Sequence, residues 1–270
     1  MEKIKRNERL AAMTQILTAS PNRIFTLSHF CDLFSTAKST VSEDVAILQD
    51  AMGQFHLGKL ETVAGAAGGV RYRPVGIGAS ARPFLEGICQ MLMEPERQLP
   101  GGYLYFSDIL AMPELVQGMG NLIAGEYYDA GVDFVLTMET KGIPVALMVA
   151  QALRVPLIIA RRATKVYEGS AVNISYVSGS GGIETMALSR RAVKEGQRAL
   201  IVDDFMRGGG TARGMIELMK EFSVSVAGIC FVLALEHPKK RLIEGEKSLM
   251  LLSDMRDGEP LQVRPADWVR

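Results

Sequence analysis

The sequence Ala199-Leu-Ile-Val-Asp-Asp-Phe-Met-Arg-Gly-Gly-Gly-Thr211 joins an apolar run, two adjacent acids and a glycine-rich turn. Residues 199–202 form an unbroken apolar segment, which is typical of a strand covered on both faces in a parallel sheet. Asp203 and Asp204 are therefore predicted at the carboxyl end of that strand. Open α/β sheets bind their ligands at this end, so the two acids are candidate site residues.

The turn after the acids has the composition of an anion-binding loop. Gly208, Gly209 and Gly210 allow positive φ angles, so that consecutive backbone N–H groups can face one concavity. Thr211 is predicted to cap the following helix, whose N-terminus also favours an anion. Paired carboxylates are suited to accept hydrogen bonds from vicinal ribose hydroxyls. The segment therefore predicts a sugar-phosphate site, with an ordinary strand, turn and helix as the alternative. A Walker loop fits less well, because no Gly-Lys-Ser/Thr sequence follows the glycines.

This segment resembles the 5-phosphoribosyl-1-diphosphate (PRPP) motif of the type I phosphoribosyltransferases. The resemblance implies that Asp203 and Asp204 bind the ribose 2′- and 3′-hydroxyls, and that residues 207–211 surround the 5′-phosphate. The chain has Arg207-Gly208 where these enzymes commonly carry Ala-Thr or a similar small pair. The predicted PRPP-binding residues of this segment are Asp203, Asp204, Phe205, Met206, Arg207, Gly208, Gly209, Gly210 and Thr211.

Two further loops complete the predicted PRPP site. Residues 137–142 lie between a predicted strand and helix and resemble the pyrophosphate loop of the same enzymes; as an alternative, Lys141 is a solvated surface charge. Residues 165–189 hold the place of the flexible loop that closes over PRPP, or form a mobile hairpin without a catalytic role. Tyr103 and Phe205 are candidates for stacking on a base. The predicted residues outside the main motif are Glu139, Thr140, Lys141, Gly142, Arg161 and Tyr103.

The composition is that of a folded protein with two domains. The chain has 270 residues, 48% of them hydrophobic, and 30 basic residues balance 30 acidic ones, so net charge gives no argument for nucleic acid. Three scattered cysteines predict buried thiols in a reducing cytoplasm rather than disulfides or a metal site. No signal-peptide core and no apolar run of membrane-spanning length is present, so we expect a cytoplasmic protein without a membrane partner.

The first 74 residues predict a winged-helix domain. Two short helices are expected after Asn7 and Thr26, and a third near residue 39, with Thr40 and Glu43 in capping-box spacing. A hairpin with a flexible tip is expected over residues 59–72, because two β-prone pieces flank a glycine-rich stretch. The apolar stripe of the third helix consists of Val41, Val45, Leu48 and Met52.

The polar start of the third helix is a candidate DNA-recognition surface. Residues 1–74 hold nine Lys/Arg and seven Asp/Glu, a small excess, but the cations are grouped at the N-terminus, before the third helix and on the wing. A three-helix module used for docking or dimerisation is the alternative. The predicted DNA-binding residues are Lys3, Lys5, Arg6, Lys38, Ser39, Thr40, Ser42, Arg71 and Arg73, with Arg9 in the same basic segment.

The remainder, residues 75–270, predicts an α/β domain with a parallel sheet. A linker or entry strand is expected over 74–81, then a helix over 83–93 and another over 113–128. Strands follow at 134–137, 156–160, 199–202 and 227–235, with helices over 144–153 and after residue 211. The predicted fold class is thus α/β: a winged-helix domain at 1–74 and a phosphoribosyltransferase-like domain at 75–270.

The two halves together resemble the purine operon repressors of Gram-positive bacteria over essentially the whole chain. The resemblance implies a homodimeric regulator that binds a double-stranded DNA operator of purine biosynthesis genes. It also implies that PRPP is an effector that weakens operator binding, with no catalytic residues, no required cofactor and no transfer activity.

The rival interpretation is an active purine phosphoribosyltransferase with an N-terminal oligomerisation module, since enzyme and regulator need the same sugar and phosphate contacts. His29, His56 and His237 offer no acid–base pair for catalysis. A third interpretation is a metabolite-binding domain that docks protein partners. The residues leave open whether Mg²⁺ accompanies PRPP, whether a purine nucleotide competes with it, and whether binding represses or activates.

Overall fold

The computed structural model describes residues 4–65, 68–74, 81–164, 169–178, 181–253 and 260–269. Lys3, most of the predicted linker over 74–81 and two pieces of the predicted flexible loop, 165–168 and 179–180, lie outside these ranges. None of the described helices could cross a lipid bilayer, since each is too short or too polar.

The N-terminal domain has the predicted order of three helices and a hairpin: α1 (Arg6–Thr18), α2 (Leu27–Phe34), α3 (Lys38–Gln54), β1 (Lys59–Val63) and β2 (Gly69–Arg73). The two strands pair in antiparallel register, and Phe25 adds a single bridge to Val70. The stripe predicted for α3 is confirmed, because all four of its side chains are buried in this domain's core.

The start of α2 agrees with the prediction, whereas the starts of α1 and α3 differ from it. Thr26 does cap α2, since its hydroxyl accepts a hydrogen bond from the backbone N–H of His29 at 3.2 Å. The capping box predicted for α3 is wrong: the helix begins at Lys38 after the extended Ala37, so Thr40 lies inside the first turn. Helix α1 begins at Arg6, so the prediction that it starts after Asn7 is wrong, and Asn7 lies in its first turn. The backbone N–H of Lys5, directly before the helix, donates to the Glu8 carboxylate at 2.7 Å.

The second domain is built on a six-stranded sheet of order β12-β11-β10-β9-β5-β6. Strands β6, β5, β9 and β10 pair in parallel, as predicted, and β11 adds a further parallel pair with β10. Strand β12 runs antiparallel to its neighbour β11. Its elements are α4 (Ala81–Leu92), β3 (Gln98–Leu99), β4 (Tyr103–Leu104), α5 (Pro113–Gly125), β5 (Phe134–Met138), α6 (Ile143–Leu153), β6 (Leu157–Ala160), β7 (Ala171–Val177), β8 (Ile183–Ser189), β9 (Arg198–Met206), α7 (Gly210–Glu221), β10 (Ser225–Leu235), β11 (Lys247–Leu252) and β12 (Val263–Pro265).

Each face of the sheet is covered by its own hydrophobic cluster. Leu200 and Val202 of β9 point to the face covered by α4, α5 and α6, whereas Ala199 and Ile201 point to the face covered by α7 and the β7–β8 hairpin. This alternation within one apolar run is what a strand buried on both sides requires. The core of the N-terminal domain is a third, separate cluster.

Both edges of the sheet are formed by short strands. At one edge lies β12, with three residues, and at the other lies β6, with four. Strands β11 and β12 were not predicted from the sequence. Residues 165–189 were predicted as a loop or hairpin, and their described part contains the two-stranded hairpin β7–β8, which packs against α7.

Candidate functional site

The carboxyl ends of β5 and β9 form the point where the order of the sheet reverses. The chain continues from β5 to β6 on one side and then returns to β9 on the other. Pairing between β5 and β9 stops at Leu136 and Ile201, whereas β9 continues against β10 as far as Met206. The two strands therefore separate at their ends, and this crevice is where open α/β sheets bind ligands.

The twin acids lie within β9 rather than after it. The strand extends to Met206, and Asp203 pairs with Phe231 of β10 in the sheet register. The predicted end of the strand at Val202 is therefore wrong, because main-chain pairing continues beyond the apolar run. Asp203 is buried, and Asp204 is partly buried. The strand thus holds both carboxylates rigidly at the mouth of the crevice.

The electrostatic environment of the acids favours their neutral forms. Burial and the neighbouring charge of Asp204 raise the pKa of Asp203 well above its usual value. Burial also raises the pKa of Asp204, although the Lys141 ammonium acts in the opposite direction. The buried hydroxyl of Thr137 next to this pair has no hydrogen-bond partner among the described residues. The site therefore presents polar groups that a ligand with hydroxyls could satisfy.

In the loop after β5, Gly142 lies directly against Asp203. A Cβ atom built on Gly142 would lie 2.2 Å from Oδ1 of Asp203 and 2.6 Å from Oγ1 of Thr137, so only glycine allows this approach. Lys141 lies beside the acids, with its Nζ 5.8 Å from the centroid of the Phe106 ring. The predicted pyrophosphate loop and the predicted ribose-binding acids are thus neighbours in space.

The glycine turn forms the other wall of the site. Gly209 has a φ of +84° and directly precedes α7, which begins at Gly210. Thr211 therefore lies in the first helical turn and is not the cap, contrary to the prediction. The backbone N–H of Leu242 donates to the carbonyl of Gly208 at 2.9 Å, which fixes the turn from behind. The turn leaves the start of α7 facing the crevice, as an anion site requires.

A cavity of about 280 Å³ is lined by Lys141, by the end of β9 and by the glycine turn. Leu104, Phe106 and Phe231 also line it, and nothing in the sequence pattern had indicated them. The Phe106 and Phe205 rings meet edge to face at 6.4 Å. The predicted residues that line the cavity are Tyr103, Lys141, Asp204, Phe205, Met206, Arg207, Gly208, Gly209, Gly210 and Thr211.

Five of the predicted residues do not line this cavity: Asp203, Glu139, Thr140, Gly142 and Arg161. Arg161 Nη1 lies 3.7 Å from a Glu139 carboxylate oxygen, and the backbone N–H of Arg162 donates to the same carboxylate at 2.7 Å. In this arrangement the Arg161 guanidinium faces the Glu139 carboxylate, and binding of the diphosphate by Arg161 stays a prediction. Thr140 is exposed and joined to Glu139 by a cis peptide bond.

Arg207 connects the glycine turn to Gly102 and Tyr103 at the rim of the cavity. Its Nη2 donates to the carbonyl of Gly102 at 3.0 Å, and its guanidinium carbon lies 5.7 Å from the Tyr103 ring centroid. Tyr103 itself is largely exposed at the rim. This pair bridges β9 to the β3–β4 hairpin, a contact that the sequence alone did not predict.

The predicted DNA-binding residues divide into exposed and internal groups. Lys38, Ser39 and Ser42 are exposed at the start of α3, whereas Thr40 is half-buried. Lys5 is exposed, and the half-exposed Arg6 pairs with the Glu43 carboxylate at 2.8 Å. The exposed groups form one surface around the N-terminus of α3, as the prediction required.

Three arginines of this domain are internal. Arg9 is buried and donates to the fully buried Asp44 at 2.7 Å, so it holds α1 on α3. Arg71 is mostly buried and bonded to Glu61. Arg73 is buried between Glu61, Asn22 and Asp129. The prediction that Arg71 and Arg73 contact DNA phosphates does not fit, because both guanidinium groups are enclosed by protein acceptors.

Comparisons with known proteins agree with this division into two domains. Residues 5–74 match the family "Bacterial purine repressor, N-terminal", and residues 106–260 match "Phosphoribosyl transferase domain". The adenine phosphoribosyltransferase of Thermoanaerobacter pseudethanolicus has a similar fold, with a TM-score of 0.53 at 21% identity over 62% of this chain and 96% of that one. At that identity the likeness concerns the fold alone.

Curated relatives cover nearly the whole chain. The purine biosynthesis transcriptional repressor PurR of Bacillus subtilis is 42% identical over 99% of this chain and 95% of its own length. The purine biosynthesis transcriptional activator PurR of Lactococcus lactis is 42% identical over 92% of each chain. A xanthine phosphoribosyltransferase of Lactococcus lactis is 32% identical over 57% of this chain and 81% of its own. The chain belongs to the PurR family of bacterial purine biosynthesis regulators.

Proposed function

We propose that this protein is a DNA-binding repressor of purine biosynthesis genes, and that PRPP is the effector that weakens its binding to the operator. The names of the Bacillus and Lactococcus relatives support the regulatory role and the pathway. Those names differ in the sign of regulation, so the proposal of repression needs its own test. We also propose that the protein acts in the cytoplasm as a homodimer on paired half-sites.

The observation that carries the effector proposal is the contrast between the two walls of one cavity. Asp204 lines one wall, and Asp203 is buried next to it in β9. Burial raises the pKa of both carboxyl groups, although the Lys141 ammonium acts in the opposite direction on Asp204. Residues 208–211 present backbone amides at the start of α7. The second wall attracts a phosphate, whereas ribose hydroxyls can hydrogen-bond with the carboxyl groups of the first. A ribose 5-phosphate group satisfies both, with Lys141 beside it for a further anion.

The surface around the start of α3 supports the DNA proposal. Lys38, Ser39 and Ser42 are exposed where the free N–H groups of the helix point outward. A helix of 17 residues presented in this way by a three-helix domain and its hairpin is the geometry that enters a major groove. The charged and hydroxyl side chains would contact phosphates and base edges there.

We propose that the phosphoribosyltransferase-like domain binds PRPP without transferring it. Among the described residues, the charged side chains that line the cavity are Lys141, Asp204 and Arg207. Asp204 is assigned to a ribose hydroxyl, and Arg207 is already bonded to Gly102. Among the described lining residues, Lys141 is then the cation left to stabilise the charge that develops on a leaving diphosphate, a task that several groups share in transferases.

Fluorescence anisotropy with labelled promoter DNA from the purine genes of the source organism tests the proposal. PRPP is expected to weaken binding roughly 5- to 150-fold, which corresponds to a coupling free energy of about 1–3 kcal/mol. Ribose 5-phosphate and ATP serve as ligand controls, and the double variant D203N/D204N should lose the response while still binding DNA. Equal affinity with and without PRPP would overturn the effector assignment.

Two further measurements address the remaining parts. Transcription of the bound promoter in vitro gives the sign of regulation, since the proposal requires that transcript levels fall. Incubation with PRPP, Mg²⁺ and a panel of purine bases should release no pyrophosphate above the background of the D203N/D204N variant. Base-dependent release would establish the enzyme instead.

A further inference from the structure

Helix α6 connects the candidate effector site to the N-terminal domain. Gly142, directly before the helix, lies against Asp203, as the 2.2 Å separation of its virtual Cβ shows. Leu153, the last residue of the helix, accepts a hydrogen bond on its carbonyl from Nδ2 of Asn22, in the turn after α1, at 2.9 Å. Eleven helical residues, spanning roughly 16 Å at 1.5 Å per residue, thus separate the two contacts.

Arg73 makes the second connection between the domains. Its guanidinium donates to Asp129 at 2.7 Å and to the carbonyl of Tyr128 at 3.3 Å, and it lies 4.6 Å from the centroid of the Tyr128 ring. Its Nε donates to Oδ1 of Asn22 at 3.2 Å. Arg73 and α6 therefore share one side chain, Asn22, as a common partner.

The segment that holds Arg73 is itself fixed to the central sheet. The ring of Tyr127 covers Gly228 of β10, where a Cβ atom would lie 2.3 Å from it. The thiol of Cys230, also on β10, donates to the Tyr127 hydroxyl at 3.4 Å. Tyr127 is thus packed against the sheet, and Arg73 joins the turn directly after it to the wing of the other domain.

The contact between the domains is polar and incompletely packed. The apolar core of the N-terminal domain contains no residue from the sheet domain. A cavity of about 440 Å³ lies between residues 19–21 and the end of α6. Movement between the domains would therefore exchange a few hydrogen bonds without exposing an apolar core, which keeps its free-energy cost low.

We propose that Asn22 and Arg73 are the positioning residues through which α6 transmits occupancy of the effector site to the DNA-binding domain. This inference rests on the proposed function. A ligand at the loop that ends in Gly142 would displace the start of α6, and a rigid helix would carry that displacement to Leu153. Asn22 would follow the Leu153 carbonyl, and Arg73 would then set the orientation of the wing. Such a two-position contact is the physical element that coupling between distant ligands requires.

Two variants break the connection with little damage to either domain. Asn22 has a φ of +57°, so Asn22→Gly removes both side-chain bonds while keeping a residue that accepts this conformation. Asp129→Asn removes the interdomain ion pair from an acid whose side chain is 83% exposed. In that variant Arg73 keeps Glu61 at 3.1 Å and is not left without a charged partner. Glu195→Gln, at an exposed acid before β9, is the matched control.

The experiment measures four dissociation constants for each protein: PRPP alone, promoter DNA alone, and each ligand at saturation with the other. In the wild type and in E195Q, PRPP should weaken DNA binding by roughly 5- to 150-fold, the range expected for the effector. In N22G and D129N, the affinity for PRPP alone should stay within about twofold, while the coupling factor falls to about one third or less of the wild-type value. A merely structural contact would alter stability and leave that factor unchanged.

The possible failures are distinguishable. A wild type without any coupling overturns the proposed function, and with it the inference. A wild type that couples, together with both variants coupling equally strongly, overturns the inference alone. Loss of DNA binding in D129N with intact PRPP binding would also overturn it, because the contact would then serve DNA binding itself.

Discussion

Gly142 and Asp203 touch so closely that no side chain fits between them, since a Cβ atom on Gly142 would lie 2.2 Å from the carboxylate. Gly142→Ala must therefore push the loop away from β9. Overpacking of this kind costs about 1–3 kcal/mol, and we expect PRPP affinity by calorimetry to fall roughly 5- to 150-fold. Gly87→Ala is the matched control, because no atom lies within 4 Å of its virtual Cβ. Unaltered PRPP binding in G142A would contradict the assigned site.

The buried Asp203 should lower the protein's free energy of unfolding at neutral pH. Its pKa is raised in the folded state, so the folded protein binds the proton more tightly than the unfolded chain does. The resulting stabilisation is present below the usual value of 3.8 and is lost as the pH rises through the higher folded value.

Asp203→Asn removes this titration. The variant should melt at a higher temperature than the wild type at neutral pH, should show a weaker loss of stability above pH 4, and should bind no PRPP. Thermal melts in matched buffers between pH 4 and 8 measure this. A variant less stable than the wild type at every pH would show that the carboxylate stabilises the fold.

The Arg9–Asp44 pair should be essential to the N-terminal domain. Asp44 is fully buried, and its loss in Asp44→Asn would leave the buried Arg9 without its counter-charge. Breaking a buried pair in this way costs about 3–5 kcal/mol. Urea unfolding should show the N-terminal transition at lower denaturant, with DNA binding weakened and PRPP binding retained.

The double variant R9M/D44L distinguishes the effect of losing the ion pair from the effect of leaving one charge buried without a partner. Replacing both charges with apolar side chains leaves no buried charge, so most of the stability should return. If the double variant is as unstable as D44N, the side-chain geometry and not the uncompensated charge is responsible.

The salt dependence of DNA binding should identify the phosphate contacts. Lys38→Gln removes an exposed cation at the start of α3, so the slope of log K against log salt should decrease by about 0.9. Arg71→Gln should leave the slope unchanged, because that guanidinium is bonded to Glu61 at 3.1 Å. Titrations at several salt concentrations decide between them, and a reduced slope for R71Q would place the wing on DNA.

The parts of the fold that local patterns determine were predictable. The apolar stripe of α3 and the alternation within residues 199–202 follow directly from helical and strand periodicity. The start of α3 was misplaced because Thr40 and Glu43 have capping-box spacing, although the helix begins two residues earlier after Ala37. Likewise the strand was predicted to end at Val202 because the apolar run ends there, yet pairing of the backbone with β10 continues through Asp203 as far as Met206.

Contacts between distant parts of the chain could not be predicted in this way. Arg73 looked like a phosphate contact because its neighbours on the wing are basic and aromatic. Its partners Asn22 and Asp129 are 51 and 56 residues away, so no local pattern reveals them. Phe106 likewise reaches the cavity only because the sheet brings it next to Phe205.

The short strands at the two edges of the central sheet bear on how copies of this chain can assemble. An edge of three or four residues offers few unpaired main-chain groups, and such edges are a known protection against fibril growth and aggregation. Self-association that continues the sheet from one molecule to the next is therefore disfavoured. We therefore expect a dimer to be formed without extending the central sheet from one copy to the other.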